Sequence, residues 1–232
     1  ALGFASILMP PAGGGGGDAA VLYWAKGRED EAWYGAKHLQ SMSKSDFEAE
    51  AALSSVGMSG AQGVWNGLPV IVNYVPHAEN SGSPVADNSP RFQEMAGYDI
   101  GKNYVGHATE FLLGNPEIFD PSNNLVMSFA RCTHLCCIPG WQLVTNDYTK
   151  DSWEAGGTES GGNKLFCICH SSRFDPTAIE KNSMGRGTPF DYIGIKKVGG
   201  PAPNGMPLVP FVLNGDMIEA LPDFVDWYAY CS

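Results

Sequence analysis

The groups best suited to chemistry in this chain are sulfurs and imidazoles gathered in two short boxes. The first reads Cys132-Thr-His134-Leu-Cys136-Cys137 and the second Cys167-Ile-Cys169-His170-Ser171-Ser172. Five of the six cysteines fall within 38 residues, and only Cys231 stands apart. Six in 232 residues are too sparse for a disulfide scaffold. Reduced to ligand types, the boxes are C-x-H and C-x-x-H, so each offers one thiolate and one imidazole on a tight loop. Two such loops can pinch a metal centre between them. Zinc takes two sulfurs and two nitrogens tetrahedrally in structural sites. A [2Fe–2S] centre can take two cysteines on one iron and two histidines on the other. Cys137 and Cys169 lie beside these groups, one in each box.

The elements that must position the boxes are mostly strands. Leu125 to Ala130 reads as a strand running straight into Cys132, and Trp65-Asn-Gly-Leu-Pro-Val-Ile-Val-Asn-Tyr-Val75 as a turn followed by a strand. Leu208 to Leu213, Asn214-Gly215 and Asp216 to Leu221 form a hairpin signal of type I′. One helix is expected from Asp46 to Ser55, with Ser45 as N-cap, Glu48 completing a capping box and Gly57 beyond the end. Residues 76–123 are rich in Pro, Asn and Ser, with a short helical candidate around His107 to Leu113. There are 29 glycines and 16 prolines, and 44% of residues are hydrophobic, which suits a folded chain of many short strands. The expected fold is all-β: an antiparallel β-sandwich base domain from 43–130 and 205–232, with a small β subdomain inserted at 131–204. Residues 1–42 are expected as an N-terminal tail or linker. Its apolar start, Ala1 to Met9, followed by Pro10-Pro11 and the run Gly13 to Gly17, suits the trailing end of a membrane anchor.

Net charge is −11, from 14 basic and 25 acidic residues, so nucleic acid is excluded as a partner. Charged residues make up only 17%, against roughly 25% in an average soluble domain. A surface that titrates so little suits an acidic extracytoplasmic medium, with the fold retained at about pH 3 as the expectation. The glycine run opens no strand–helix unit with a lysine and is no phosphate loop. Asp99 and Asp120 show no paired spacing for hydrolysis. His38, His77 and His107, and the aromatics Trp227, Tyr228 and Tyr230, read as surface or packing residues.

C-T-H-L-x-C and C-x-C-H-x-S together resemble the two cluster boxes of Rieske iron–sulfur proteins from cytochrome bc-type quinol-oxidising complexes. Gly200-Pro201-Ala202-Pro203 resembles the family's Pro loop, and Trp65-Asn-Gly-Leu-Pro-Val more weakly an early strand of its base domain. The likeness is strong over 130–203 and thin over the first 60 residues. It implies that Cys132 and Cys167 ligate one iron of a Rieske-type [2Fe–2S] cluster and His134 and His170 the other. It further implies a disulfide between Cys137 and Cys169, and a Ser172 hydroxyl that donates to a cluster sulfur. That cysteine pair separates the respiratory branch from oxygenase ferredoxins, and a disulfide implies an oxidising compartment. Low charge and the 29 residues between Cys137 and Cys167 resemble an archaeal, acid-exposed member.

Three departures stand out. Cys136 and Ser171 occupy positions where the family usually has Gly, and Phe174 stands where high-potential members often have Tyr. Once four cysteines are assigned, Cys136 and Cys231 are left, and a second disulfide between them is expected. The resemblance also implies a function. Two ferric ions, two sulfides, two thiolates and neutral imidazoles sum to zero, so one added electron leaves a negative site that raises the proton affinity of the imidazoles. The electron and proton come from quinol, and the electron passes to a cytochrome or similar acceptor. A membrane cytochrome b-type subunit is the implied partner, at the extracytoplasmic face of the cell membrane, with Leu135 and Pro201 as an apolar docking rim. The chain alone is then an electron-transfer subunit. A structural Cys2His2 zinc protein, an oxygenase ferredoxin and the Rieske subunit of a molybdenum oxidoreductase are the alternatives.

Overall fold

A computed structural model describes residues 19–54, 57–75, 124–140, 143, 146, 165–182, 192–209 and 211–220. The expectations placed on residues 1–18, His77, the helical candidate at 107–113, Trp227, Tyr228, Tyr230 and Cys231 lie outside them.

The described residues are mostly β, in antiparallel sheets, with one α-helix. Strands β1 (Leu22–Tyr23), β2 (Ser59–Trp65), β3 (Leu68–Tyr74) and β4 (Leu125–Phe129) form one sheet in that order. Strands β5 (Leu165–Cys167), β6 (Ser172–Asn182), β7 (Tyr192–Gly199) and β8 (Met206–Pro207) form a second. The hairpin of β9 (Phe211–Asn214) and β10 (Met217–Ala220) and the helix α1 (Lys44–Ala51) complete the first unit. In chain order the second sheet lies between β4 and β9. Its last strand runs two residues past the expected boundary at 205. The two units meet where Ser128 of β4 bridges Leu208. Among the described residues no helix is long and apolar enough to cross a membrane.

Strand alternation delivers the cysteines. In β3, Val70 and Val72 face a core shared with Tyr23, Phe47, Trp65 and Phe211, while Ile71 points to the other side. β4 alternates likewise, with Leu125, Met127 and Phe129 in the first core and Val126 and Ala130 in the second. Continuing that period of two past the strand puts Cys132 on the second face, and there it packs, 1% exposed. In β5 the same step carries Leu165 to Cys167, also 1% exposed and in the same core.

Three local expectations are corrected. Residues 19–42 are part of the base, not a tail: β1 pairs with β2, and Val21, Tyr23, Tyr34 and Met42 are fully buried core residues. The β9–β10 hairpin turns over Gly215-Asp216, since Asn214 pairs with Met217. Gly215, at φ +62°, takes the first central position, the pattern of a type II′ turn in place of I′. That turn frees Asp216 to cap the helix, accepting from Ser45 N–H at 3.1 Å and from the Ser45 hydroxyl at 2.5 Å. The helix therefore starts at Lys44, and the hydroxyl of Ser45 serves Asp216 rather than a capping box.

Below the helix, the Tyr23 hydroxyl donates to Asp46 Oδ2 at 3.0 Å, and Lys37 pairs with Oδ1. Burial pushes the Asp46 carboxyl up, but hydrogen bonds from Lys37, Ser43 and Tyr23 outweigh it and hold it below the ordinary 3.8. A depressed folded-state value contributes stability above the unfolded pKa, and that contribution disappears as pH falls through the folded one. Asp46→Asn is therefore expected to lower stability by on the order of 1 kcal/mol at neutral pH and by progressively less as pH falls below 3.8 through the depressed folded-state value. Urea melts of both proteins at neutral and at acid pH measure it; an equal loss at both would show that the charge is not the cause.

Candidate metal centre

Two loops and a lid make the site. The first loop follows β4: Cys132 N–H donates to Cys137 O at 2.8 Å, and Cys136 N–H to Cys132 O at 2.9 Å. The second follows β5, where Ser171 N–H donates to Cys167 O, also at 2.9 Å. The loops close alike, each on the residue four places after its cysteine. Those two residues, Cys136 and Ser171, are left-handed at φ +63° and +64°. Glycine adopts that conformation without steric penalty, which is the physical reason glycine suits both positions. Arg131, 4% exposed, donates from Nη1 to the Cys136 carbonyl at 2.8 Å and steadies the first loop from behind.

Cys137 and Cys169 are joined by a disulfide that links the two loops directly. Cys136 is also disulfide-bonded, and its expected partner, Cys231, lies outside the described residues. Cys132 and Cys167 keep their thiols, both buried. The lid is the segment from Gly200 to Asn204. Thr133 Oγ1 donates to Asn204 O at 2.6 Å, tying the lid to the first loop. Ala202 N–H donates to Ser172 Oγ at 3.0 Å, tying it to the second. Gly200, at φ +79°, sits directly on Ser171 and Ser172, where a Cβ would come within 2.5 Å of Ser171 O.

The two thiols touch. Their mutual hydrogen bond is the main influence holding Cys132 down to about 6; N–H groups of His134 and Leu135 and the Ser172 hydroxyl act the same way, against burial. Cys167 is pushed up by the same bond, by burial and by the Cys132 charge, although it too receives N–H groups, from Cys169 and His170. Each sulfur is cradled by the amides of its own loop, a setting made for anionic sulfur. Ser172 accepts from the lid with its oxygen and keeps its proton for Cys132.

The imidazoles stand together nearby. The rings of His134 and His170 lie 4.6 Å apart, nearly perpendicular at 89°. Nδ1 of His134 is sealed from solvent while the residue as a whole is half-buried; His170 is exposed. Around them Leu135 is 48% exposed and Ile168 64%, with Pro201 and Pro203 also exposed. Ile168 is an addition to the expected rim, and the alternation that buries Cys167 turns it outward. His38 does what its packing role requires, accepting Ala25 N–H at Nδ1 and meeting Trp24 edge-on. The sulfurs of Cys137, Cys167 and Cys169 all lie within 4.8 Å of one another. Two of those are spent in the disulfide, so within that group only Cys167 can ligate, and Cys132 is the thiol that can join it.

One similar solved structure is a Rieske fold. It is the soluble domain of the Rieske protein II from Sulfolobus acidocaldarius, 14% identical, with a TM-score of 0.36 over 77% of this chain and 72% of that one. No protein-family model matches the chain, and no curated protein matches it. The chemistry of the site rests on its own atoms: two buried reduced thiols in contact, two imidazoles face to edge, and a disulfide and a lid that hold the loops carrying them.

Proposed function

We propose that this chain is an electron-transfer protein carrying a Rieske-type [2Fe–2S] cluster, with Cys132 and Cys167 on one iron and His134 and His170 on the other. The observation that carries the reading is the pair of buried reduced thiols, each wrapped in its loop's amides, beside paired imidazoles. The donor set fits that group in number and type: two soft anionic sulfurs, both buried, and two borderline nitrogens from the paired imidazoles. When bound, the cluster supplies a one-electron site. The N–H groups of His134, Leu135, Cys169 and His170 and the hydroxyl of Ser172 favour added negative charge, which raises the potential. The exposed imidazole of His170 can hold a proton at its solvent edge, with Leu135, Ile168 and Pro201 as apolar walls for an approaching ring.

The substrate we propose is quinol, oxidised with transfer of one electron and one proton. The proposed setting is a bc-type respiratory complex on the extracytoplasmic face, with a membrane cytochrome b-type subunit and a cytochrome acceptor. The disulfide supports an oxidising compartment. A potentiometric titration as a function of pH tests proton coupling. Above the pKa of the oxidised-state imidazole the midpoint should fall by about 59 mV per pH unit. A flat profile would remove the proton, and with it quinol, from the proposal.

Phe174 offers a second check. It is fully buried in the core that contains both thiols and pairs across from Leu165. Its ring carries no hydroxyl to donate to sulfur. Phe174→Tyr is expected to raise the midpoint by about 40–60 mV, the equivalent of one hydrogen bond worth about 1–1.4 kcal/mol. An unchanged or lower midpoint would mean the ring does not address the sulfurs.

A further inference from the structure

Cys167 has two relationships at once: it is one of the two buried thiols, and its sulfur lies within 4.8 Å of both sulfurs of the Cys137–Cys169 disulfide. A thiolate beside a disulfide is the reactant pair for exchange, which needs no outside oxidant. We propose that, without bound metal, the protein rearranges this disulfide within itself. Cys167 passes its proton to Cys132, the sulfur it is hydrogen-bonded to, and attacks Cys137 Sγ; a Cys137–Cys167 bond forms as the Cys137–Cys169 bond breaks, and Cys169 leaves as the thiolate. The proton given up by Cys167 stays on Cys132, so the net charge is unchanged. One S–S bond is exchanged for another, with no net oxidation or reduction.

The direction follows from position. Cys169 is exposed and Cys137 half-buried, so the departing sulfur is the one that water can solvate. Attack on Cys169 instead would close a ring across the single residue Ile168, inside the turn that Ser171 N–H holds on Cys167 O. A bond from Cys167 to Cys137 joins two loops that already lie side by side, with Gly140 N–H donating to Phe166 O at 2.8 Å. The rearranged protein has lost Cys167 as a ligand. The disulfide that frames the loaded site is therefore also a trap for the empty one, and metal must bind before exchange does. That consequence rests on the assignment of Cys167 as a ligand in the proposed function; the exchange itself rests only on the sulfur positions.

The test uses the full chain, stripped of metal by acid and chelator and held at pH 8 without reductant. Samples are trapped with N-ethylmaleimide in denaturant over several hours and mapped by non-reducing peptide mass spectrometry. Label starts on Cys132 and Cys167, and we expect it to move to Cys132 and Cys169 until Cys169 carries the larger share, at a rate independent of protein concentration. Cys167→Ser should keep the Cys137–Cys169 bond throughout, and the metal-loaded protein should show no shift. Label that stays on Cys167, or that moves to Cys137, overturns the proposal. A silent redox titration with the label shift intact would remove the cluster assignment alone; a stable label beside a normal cluster would remove the exchange alone.

Discussion

Gly200→Ala is expected to destabilise the inserted subdomain by about 3 kcal/mol or more and to loosen its hold on metal. Two causes add. At φ +79° an L-residue carries a left-handed penalty of about 1–2 kcal/mol. The new Cβ would also sit 2.5 Å from Ser171 O, 2.5 Å from Ser172 Cα and 2.7 Å from Ser172 N. All three are backbone atoms, so no side chain can swing aside. The lid or the second loop must shift by about 1 Å, which forces the parts of a close-packed interior off their contacts. The displaced groups include the Ala202 N–H bond to Ser172 and the loop that carries Cys167 and His170. Gly215→Ala separates the two causes, because Gly215 is also left-handed at φ +62° but has nothing within 4 Å of an added Cβ. It should lose only the conformational part, about 1 kcal/mol. Chemical denaturation with iron content measured alongside compares the two; equal effects would show that the contact between lid and loop is unimportant.

The second large effect is expected from the double variant Cys137→Ala/Cys169→Ala. The bond closes a loop with a sequence separation of 32. By the loop-entropy relation its removal should cost about 3–4 kcal/mol, most of it through a freer unfolded chain. The site should suffer beyond that, because the disulfide is the direct covalent tie between the loops bearing His134 and His170. Noncovalent ties between the loops remain through the lid, by way of Thr133–Asn204 and Ser172–Ala202. Metal loading is therefore expected to drop at least ten-fold, with the base unit still folded on its own core of Tyr23, Phe47, Trp65 and Phe129. A denaturation midpoint and iron content equal to the parent would show that the lid alone frames the site.

The site was more legible than the base. Cysteine and histidine spacings are local, and each box sits on one turn, so the ligand types could be grouped directly from the sequence. The strand running into Cys132 was equally plain, because every residue from Leu125 to Phe129 but Ser128 is apolar, and all of them are buried. The segment from Ala19 to Met42 was missed as structure because β1 has only two residues, too few for a period. Its partner β2, with Gly60 and Gly63, has little intrinsic strand preference. Its glycines answer a tertiary demand: a Cβ on Gly63 would come within 2.5 Å of Met42 and 2.9 Å of Leu22 O. The helix start slipped for a similar reason, since its cap comes from Asp216, 171 residues away. β6 hid its alternation behind register shifts between Arg173 and Phe174 and between Asp175 and Ile179. The left-handed turns at Cys136 and Ser171 could be suspected only from where glycine is usual, because neither residue type announces a positive φ.

The most direct measurement is the EPR spectrum of the dithionite-reduced full chain, with iron and acid-labile sulfide assayed on the same sample. A rhombic signal with two irons and two sulfides per chain, lost in both Cys132→Ser and Cys167→Ser, is the result expected for a histidine-ligated [2Fe–2S] centre. A fully metallated sample that is colourless, EPR-silent and loaded with one zinc per chain would contradict it, and the electron-transfer reading would fall with it.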